Sequence, residues 1–308
     1  MVSFRFYLVS VVAIFLALAV GITMGATVID KATVSALHRS IREADAQARG
    51  DQAAANLANG QLDAANKAVA AAHNSLVAER LVDVPVIVVG VRGSDQGQIT
   101  ALRDTIAAAG ADVEGTVWLT GKFTFSKPDD LVALTSALGL SATTPPDQVR
   151  LTALSRLATA WSGSEVASPM ADLKSLGYIQ YDQGSIKDPT LLPGAGARFV
   201  VAAPAQPDVP DDQVAIPFTQ QLARLFPLRV VAAEQGIKAA GKQPDVREVF
   251  VGPLRSNDLG VNTKLSTVDD IEDPWGQAAV VYALHNLAAD KSGHYGIGAH
   301  RDAPFPPP

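Results

Sequence analysis

The sequence predicts an α/β protein: an N-terminal transmembrane helix, a helical coiled-coil stalk, and a Rossmann-like body built on a parallel sheet. Three observations predict it. Phe6 to Ile29 carries no charged side chain, and Tyr7 to Ala26 is apolar almost throughout. Residues 31–80 contain no proline and place apolar residues at heptad spacing. From Val84 onward, short β-branched runs alternate with helical stretches, the signature of βαβ units. The expected boundaries are a short cytoplasmic leader at 1–6, the span at 7–26, the stalk at 27–82, the α/β domain at 83–300, and a disordered proline-rich tail at 301–308.

A bilayer core about 30 Å thick takes roughly 20 apolar residues in a helix, because each residue rises about 1.5 Å. The segment 7–26 has that length. A cleaved signal peptide is the rival, and Ala19-Val20-Gly21 or Met24-Gly25-Ala26 could serve its cleavage. Its apolar core would be only about 7–15 residues, so length favours a retained anchor. Lys31, Arg39 and Arg42 follow the span, against a simple positive-inside count. A six-residue leader stays inside easily, and long domains translocate largely regardless of charge, so the bulk of the chain is placed outside the cytoplasm, in the envelope.

In a heptad frame from Val34, the a positions are Val34, Ile41, Ala48, Ala55, Leu62, Val69 and Leu76, and the d positions are Leu37, Ala44, Asp51, Ala58, Ala65, Ala72 and Glu79. Only Asp51 and Glu79 interrupt this 3.5-residue period. The pattern fits a self-associating stalk, expected as a homo-oligomer, or a single polar helix. Fully helical, it would be on the order of 75 Å long.

The body opens with Val84–Val89, a β-branched run suited to a strand buried on both faces. Gly93, Ser94 and Asp95 supply a turn and an N-cap, and Ile99, Leu102, Ile106 and Ala109 mark a helix closed by Gly110. Val113–Leu119 is the second strand. Helices follow at Asp129–Leu138, at Asp147–Trp161 after Pro145-Pro146, and near Met170–Leu176. Tyr178–Tyr181 reads as a strand, Gly184–Ala197 as a long loop, and Arg198–Ala203 as a buried strand. Asp211-Asp212 is expected to cap a helix to Phe226, followed by a core strand at Leu228–Ala233. Short strands are expected at Glu248–Val251 and just before Leu265, and Asp273-Pro274-Trp275 opens the last helix.

Composition excludes several functions. The net charge of −6 offers no footprint for nucleic acid, and the absence of cysteine removes disulfides, thiolate metal sites and a cysteine nucleophile. The first βα turn, Gly90-Val91-Arg92-Gly93-Ser94-Asp95, lacks both G-x-G-x-x-G and a P-loop lysine, and reads as a plain tight turn. No G-x-S-x-G elbow, H-E-x-x-H helix or EF-hand loop occurs. The chain is therefore read as a non-enzyme without a tightly bound cofactor. An enzyme with its site at the strand C-termini is the weaker alternative.

Two clusters could hold a cation. Asp269 and Asp270, with Glu272 and Asp273, form the densest acidic patch; it is either a solvated turn ending in a helix cap or a cation or partner site. His285, His294 and His300 fall within sixteen residues, the last two flanking Tyr295-Gly296-Ile297-Gly298. Imidazole suits Cu(II), Zn and Ni, although the spacing fits no standard structural zinc pattern.

Three segments resemble the mycobacterial copper transport protein B family of actinobacterial envelope proteins. They are the anchor, with Val9-Ser10, Ala13–Gly21 and Gly25; Ser266-Thr267-Val268-Asp269-Asp270-Ile271; and Ala283-Leu284-His285-Asn286-Leu287 with His294 and Tyr295–Gly298. His300 falls one place later than the family pattern. The resemblance implies copper homeostasis, with copper as the transported ion, membrane association, and a pore role in the outer membrane. With the two clusters above, His285, His294, His300, Asp269 and Asp270 are the candidate metal ligands. A structural or scaffolding envelope protein that handles no metal is the alternative.

Overall fold

The computed structural model describes residues 4–162, 168–182, 196–237 and 246–307. The chain divides into two compact units, one up to Ala65 and one from Asn66 to Pro308. The apolar span and most of the expected stalk are one uninterrupted helix, α1, Phe4–Val77. Within it, Tyr7–Met24 has a mean hydropathy of 2.5 and is exposed throughout. Further along, Leu37, Ile41 and Leu62 of the heptad seam are exposed as well.

The second unit is a three-layer α/β body. Its strands are β1 Pro85–Val91, β2 Asp112–Leu119, β3 Ile179–Asp182, β4 Arg198–Pro204, β5 Val230–Gln235, β6 Leu265–Val268 and β7 His294–Tyr295. They form one sheet in the order β3-β2-β1-β4-β5-β6-β7, parallel except where the edge strand β3 runs antiparallel to β2. Helices α2 Gln96–Ala108, α3 Pro128–Ala137, α4 Pro146–Trp161, α5 Ser168–Ser175, α6 Ala215–Leu225, α7 Val251–Arg255 and α8 Pro274–Leu287 complete it.

Alternation along β1 explains the layers. Ile87, Val89 and Val91 enter a core shared with α4 and α6, while Val86 and Val88 enter one shared with α2 and α8. Both faces are covered, which is why the strands read as continuous apolar runs. Asp95 caps α2 by accepting from Gly97 N at 2.8 Å. Gly90 is required because a Cβ there would lie 2.6 Å from the Trp118 ring.

The end of α1 belongs to the second core. Val77 and Leu81 are fully buried, and the Arg80 guanidinium lies 4.6 Å from the centre of the Tyr282 ring. Tyr282 Oη donates to Leu76 O at 3.0 Å.

Several expectations are corrected. Glu248–Val251 is not a strand: the N–H groups of Val249, Phe250 and Val251 donate to the Glu234 carboxylate, and the chain turns into α7. The sixth strand starts at Leu265 rather than ending before it. Asp211 and Asp212 do not cap α6; its N-cap is Val214, without a side-chain cap. The tail expected to be disordered packs on α8 instead, with Phe305 4.3 Å from Trp275 and 5.1 Å from Tyr282, ring centre to ring centre. Its backbone is tied down where Gly296 N donates to Pro304 O and Asn286 Nδ2 to Pro307 O. The expected loop at 184–197 lies largely outside the described residues.

Candidate functional site

The crevice beyond the carboxyl ends of β1 and β4, the usual ligand position in open parallel sheets, is closed by backbone. A Cβ on Gly93 would sit 2.7 Å from Asp208 N, and Asp208 N donates to Arg92 O. The polar centre of the body lies instead at β6 and β7, around Arg255.

Arg255 is the last residue of α7, and its side chain is 2% exposed. Its Nη2 pairs with Asp269 at 2.8 Å and donates to Tyr295 O, its Nη1 pairs with Glu248 at 2.6 Å, and its Nε donates to Thr267 Oγ1. A planar guanidinium suits this work, because its donors leave in fixed, divergent directions. The two carboxylates in turn hold the loop after β7. Asp269 accepts from Ile297 N and Gly298 N, and Glu248 from Ala299 N and His300 N. Consecutive backbone N–H groups thus cradle both acids, as a nest cradles an anion. Desolvation raises the Glu248 pKa, but the His300 and Ala299 N–H groups and Arg255 outweigh it and hold the carboxyl below its usual range.

A cleft of about 690 Å³ opens beside this centre, lined among others by Glu248, Arg255, Asn262, His294, His300 and Asp302. His294 is buried on β7, with Nδ1 3.2 Å from Thr267 Oγ1. Thr267 Oγ1, which accepts from Arg255 Nε, thus links the guanidinium to the His294 ring. Burial lowers the His294 pKa, with Asp302 opposing and Arg255 adding to the shift. His300 is exposed, its Nδ1 3.4 Å from Glu248.

The five predicted ligands therefore do not form one cage. His294 and His300 share the cleft. Asp269 lies behind it, fully buried, its oxygens engaged by Arg255 and the loop. Asp270 is 3% exposed, and its Oδ1 lies so near Gly276 that a Cβ there would be 2.5 Å away. Burial, then Asp269 and Glu272, push the Asp270 pKa up to about 7. His285 is elsewhere on α8, where Nδ1 donates to Arg80 O at 2.8 Å. Among the described residues, no three His, Asp or Glu side chains are grouped to hold a metal ion.

The organising residues, Arg255, Glu248 and Glu234, were not singled out from the sequence. Glu234 closes the core strand β5, where a charge is out of place unless it is fully bonded, and that is the signal that could have found it.

Residues 1–306 match the family of the copper transport outer membrane protein MctB. The chain belongs to the MctB family. Relatives called copper transporter MctB in Mycobacterium bovis and Mycobacterium tuberculosis are 25% identical to it over 325 residues, covering 97% of each chain. The segments that carry the MctB resemblance in the body have an evident place in the fold. Ser266–Ile271 is β6 and its carboxyl end, Ala283–Leu287 is the end of α8, and His294–Gly298 is β7 and the cradled loop. The first and last of these are joined by Arg255 and Asp269.

Proposed function

We propose that this chain is a membrane-anchored envelope protein of copper homeostasis, which helps move copper across the envelope. The correspondence with copper transporters carries the reading, because it runs from residue 1 to residue 306 and so takes in the apolar helix and the body together. The exposed apolar surface of Tyr7–Met24 suits a bilayer and would be a liability in water. Beyond it, the exposed Leu37, Ile41 and Leu62 at heptad positions support pairing of α1 with the same helix of a second copy. Copies inserted from the same side would run parallel.

Copper meets the body at the cleft. His294 and His300 both line it, imidazoles of the kind that suit Cu(II), although they are not grouped with a third ligand among the described residues. His285, Asp269 and Asp270 serve the framework in this reading. A single helix encloses no channel, so a pore would require several copies around it.

Envelope fractionation with sequencing of the mature N-terminus tests the placement. The expected result is a membrane-bound chain that keeps residues 7–24; a soluble chain beginning near Thr27 would overturn it. A deletion strain with normal copper tolerance and a weakened envelope would favour the scaffolding alternative.

A further inference from the structure

Tyr282, His285 and Asn286 are spaced i, i+3 and i+4 on α8, so they share one face of that helix. The face holds two segments at once. On one side is the end of α1: Tyr282 Oη donates to Leu76 O at 3.0 Å, His285 Nδ1 donates to Arg80 O at 2.8 Å, and the Arg80 guanidinium covers the Tyr282 ring. On the other is the tail: Phe305 meets the Trp275 and Tyr282 rings, Pro306 is buried, and Asn286 Nδ2 donates to Pro307 O at 2.9 Å. Tyr282 touches both segments, and Val77, Leu81 and Phe305 join the same apolar core.

The other end of the tail is tied to the cleft. Asp302, on the cleft wall, accepts from His294 N at 2.9 Å and donates its own N–H to His294 O at 2.7 Å. Ala303 then bridges to Tyr295, and Gly296 N donates to Pro304 O. Four of the last five residues of the chain are proline and have no N–H to give. Past Ala303 the tail is therefore held by Phe305, Pro306 and a few accepted bonds, the kind of segment that opens before the rest of a fold.

We propose that residues 302–307 are a strap that couples the cleft to the end of α1. The strap has two states, docked on α8 and free, and both of its ends bear on the choice between them. Docked, Phe305 fixes Tyr282 and with it the grip on Leu76 and Arg80. A change at Asp302 that frees the strap loosens that grip. His285 and Asn286, in the family-like segment at the end of α8, thereby gain a task other than holding a metal. The strap acts whatever the cleft holds, so it does not depend on the copper reading.

Amide hydrogen exchange, read by mass spectrometry on the full chain in detergent, tests the strap. Asp302→Ala acts on the cleft side, yet it should speed exchange roughly tenfold at residues 80–84, where the N–H groups of Arg80, Leu81, Asp83 and Val84 are bonded. A chain ending at Asp302 should do the same. Coupling is reciprocal, so Arg80→Ala should in turn speed exchange at residues 296–303. In all three, α4 and α6, which line the other core, should change far less. Wild-type exchange at 80–84 in Asp302→Ala or in the shortened chain would overturn the coupling, as would wild-type exchange at 296–303 in Arg80→Ala. So would equal acceleration in α4 and α6, which marks a general loss of stability.

Discussion

Arg255 and Asp269 form an ion pair at 2.8 Å with 2% and 0% of their side chains exposed, and the loop that carries the family-like Tyr-Gly-Ile-Gly segment hangs from it. Removing one member of a buried pair leaves the other charge uncompensated, which costs about 3–5 kcal/mol. Arg255→Met should therefore destabilise the body by about that amount in urea unfolding. Arg255→Lys should rescue little, because one ammonium cannot reach Asp269, Glu248, Thr267 and Tyr295 O together.

Gly298 is the close approach of that loop. A Cβ there would lie 2.5 Å from Asp269 Oδ2 and 2.6 Å from the Glu248 carboxyl. Gly298→Ala should push the loop off its cradle. Amide hydrogen exchange at Ile297–His300 should accelerate strongly, while protection in β1 and β4 stays unchanged.

Stability should fall as pH rises from about 4 to about 7. Burial and the neighbouring Asp269 and Glu272 raise Asp270 from 3.8 to about 7, against the pull of Arg247 and with a further push from Asp273. In that window the folded protein keeps a proton that the unfolded chain has released, so each step up in pH favours unfolding, and above about 7 the effect is level. Asp211, raised to about 7 by burial, Glu234 and Asp212, adds to the slope. Asp270→Asn should flatten a plot of Tm against pH over this window.

Phe305 is half-buried between Trp275 and Tyr282. Phe305→Ala should cost about 1–3 kcal/mol, less than the ~3–5 of a fully buried ring. A free tail would show no effect in the same unfolding experiment.

Most of the fold could be read from the sequence, because its signals are local. The apolar length of 7–24, the β-branched runs of β1, β4 and β5, the Asp95 cap and the proline at the start of α8 all act within a few residues. The site was legible only in part. His294 and His300 stood out as imidazoles near a glycine-rich loop, but Arg255 acts on partners 7 to 40 residues away, which no spacing rule reveals. Glu248–Val251 misled for the same reason: its apolar residues suit a strand, and the distant Glu234 carboxylate takes their N–H groups. Asp269 and Asp270 look alike in sequence, yet one is ion-paired and the other has an unpartnered oxygen, a difference set by α7 and α8.

Copper binding should divide the histidines. His294→Ala with His300→Ala should weaken Cu(II) binding by ~10-fold or more, a range in keeping with the loss of metal-site groups. His285→Ala should leave binding unchanged and instead loosen the end of α1, since it removes the bond to Arg80 O. Isothermal titration with Cu(II), paired with unfolding curves, separates the two effects.

The copper content of cells tests the central claim most directly. Mass spectrometry should find excess intracellular copper in a deletion strain grown in copper. The full chain should restore the normal level, and a chain of residues 27–308, without the apolar span, should not. Copper content unchanged by the deletion, or fully restored by residues 27–308, would contradict an anchored role in copper transport.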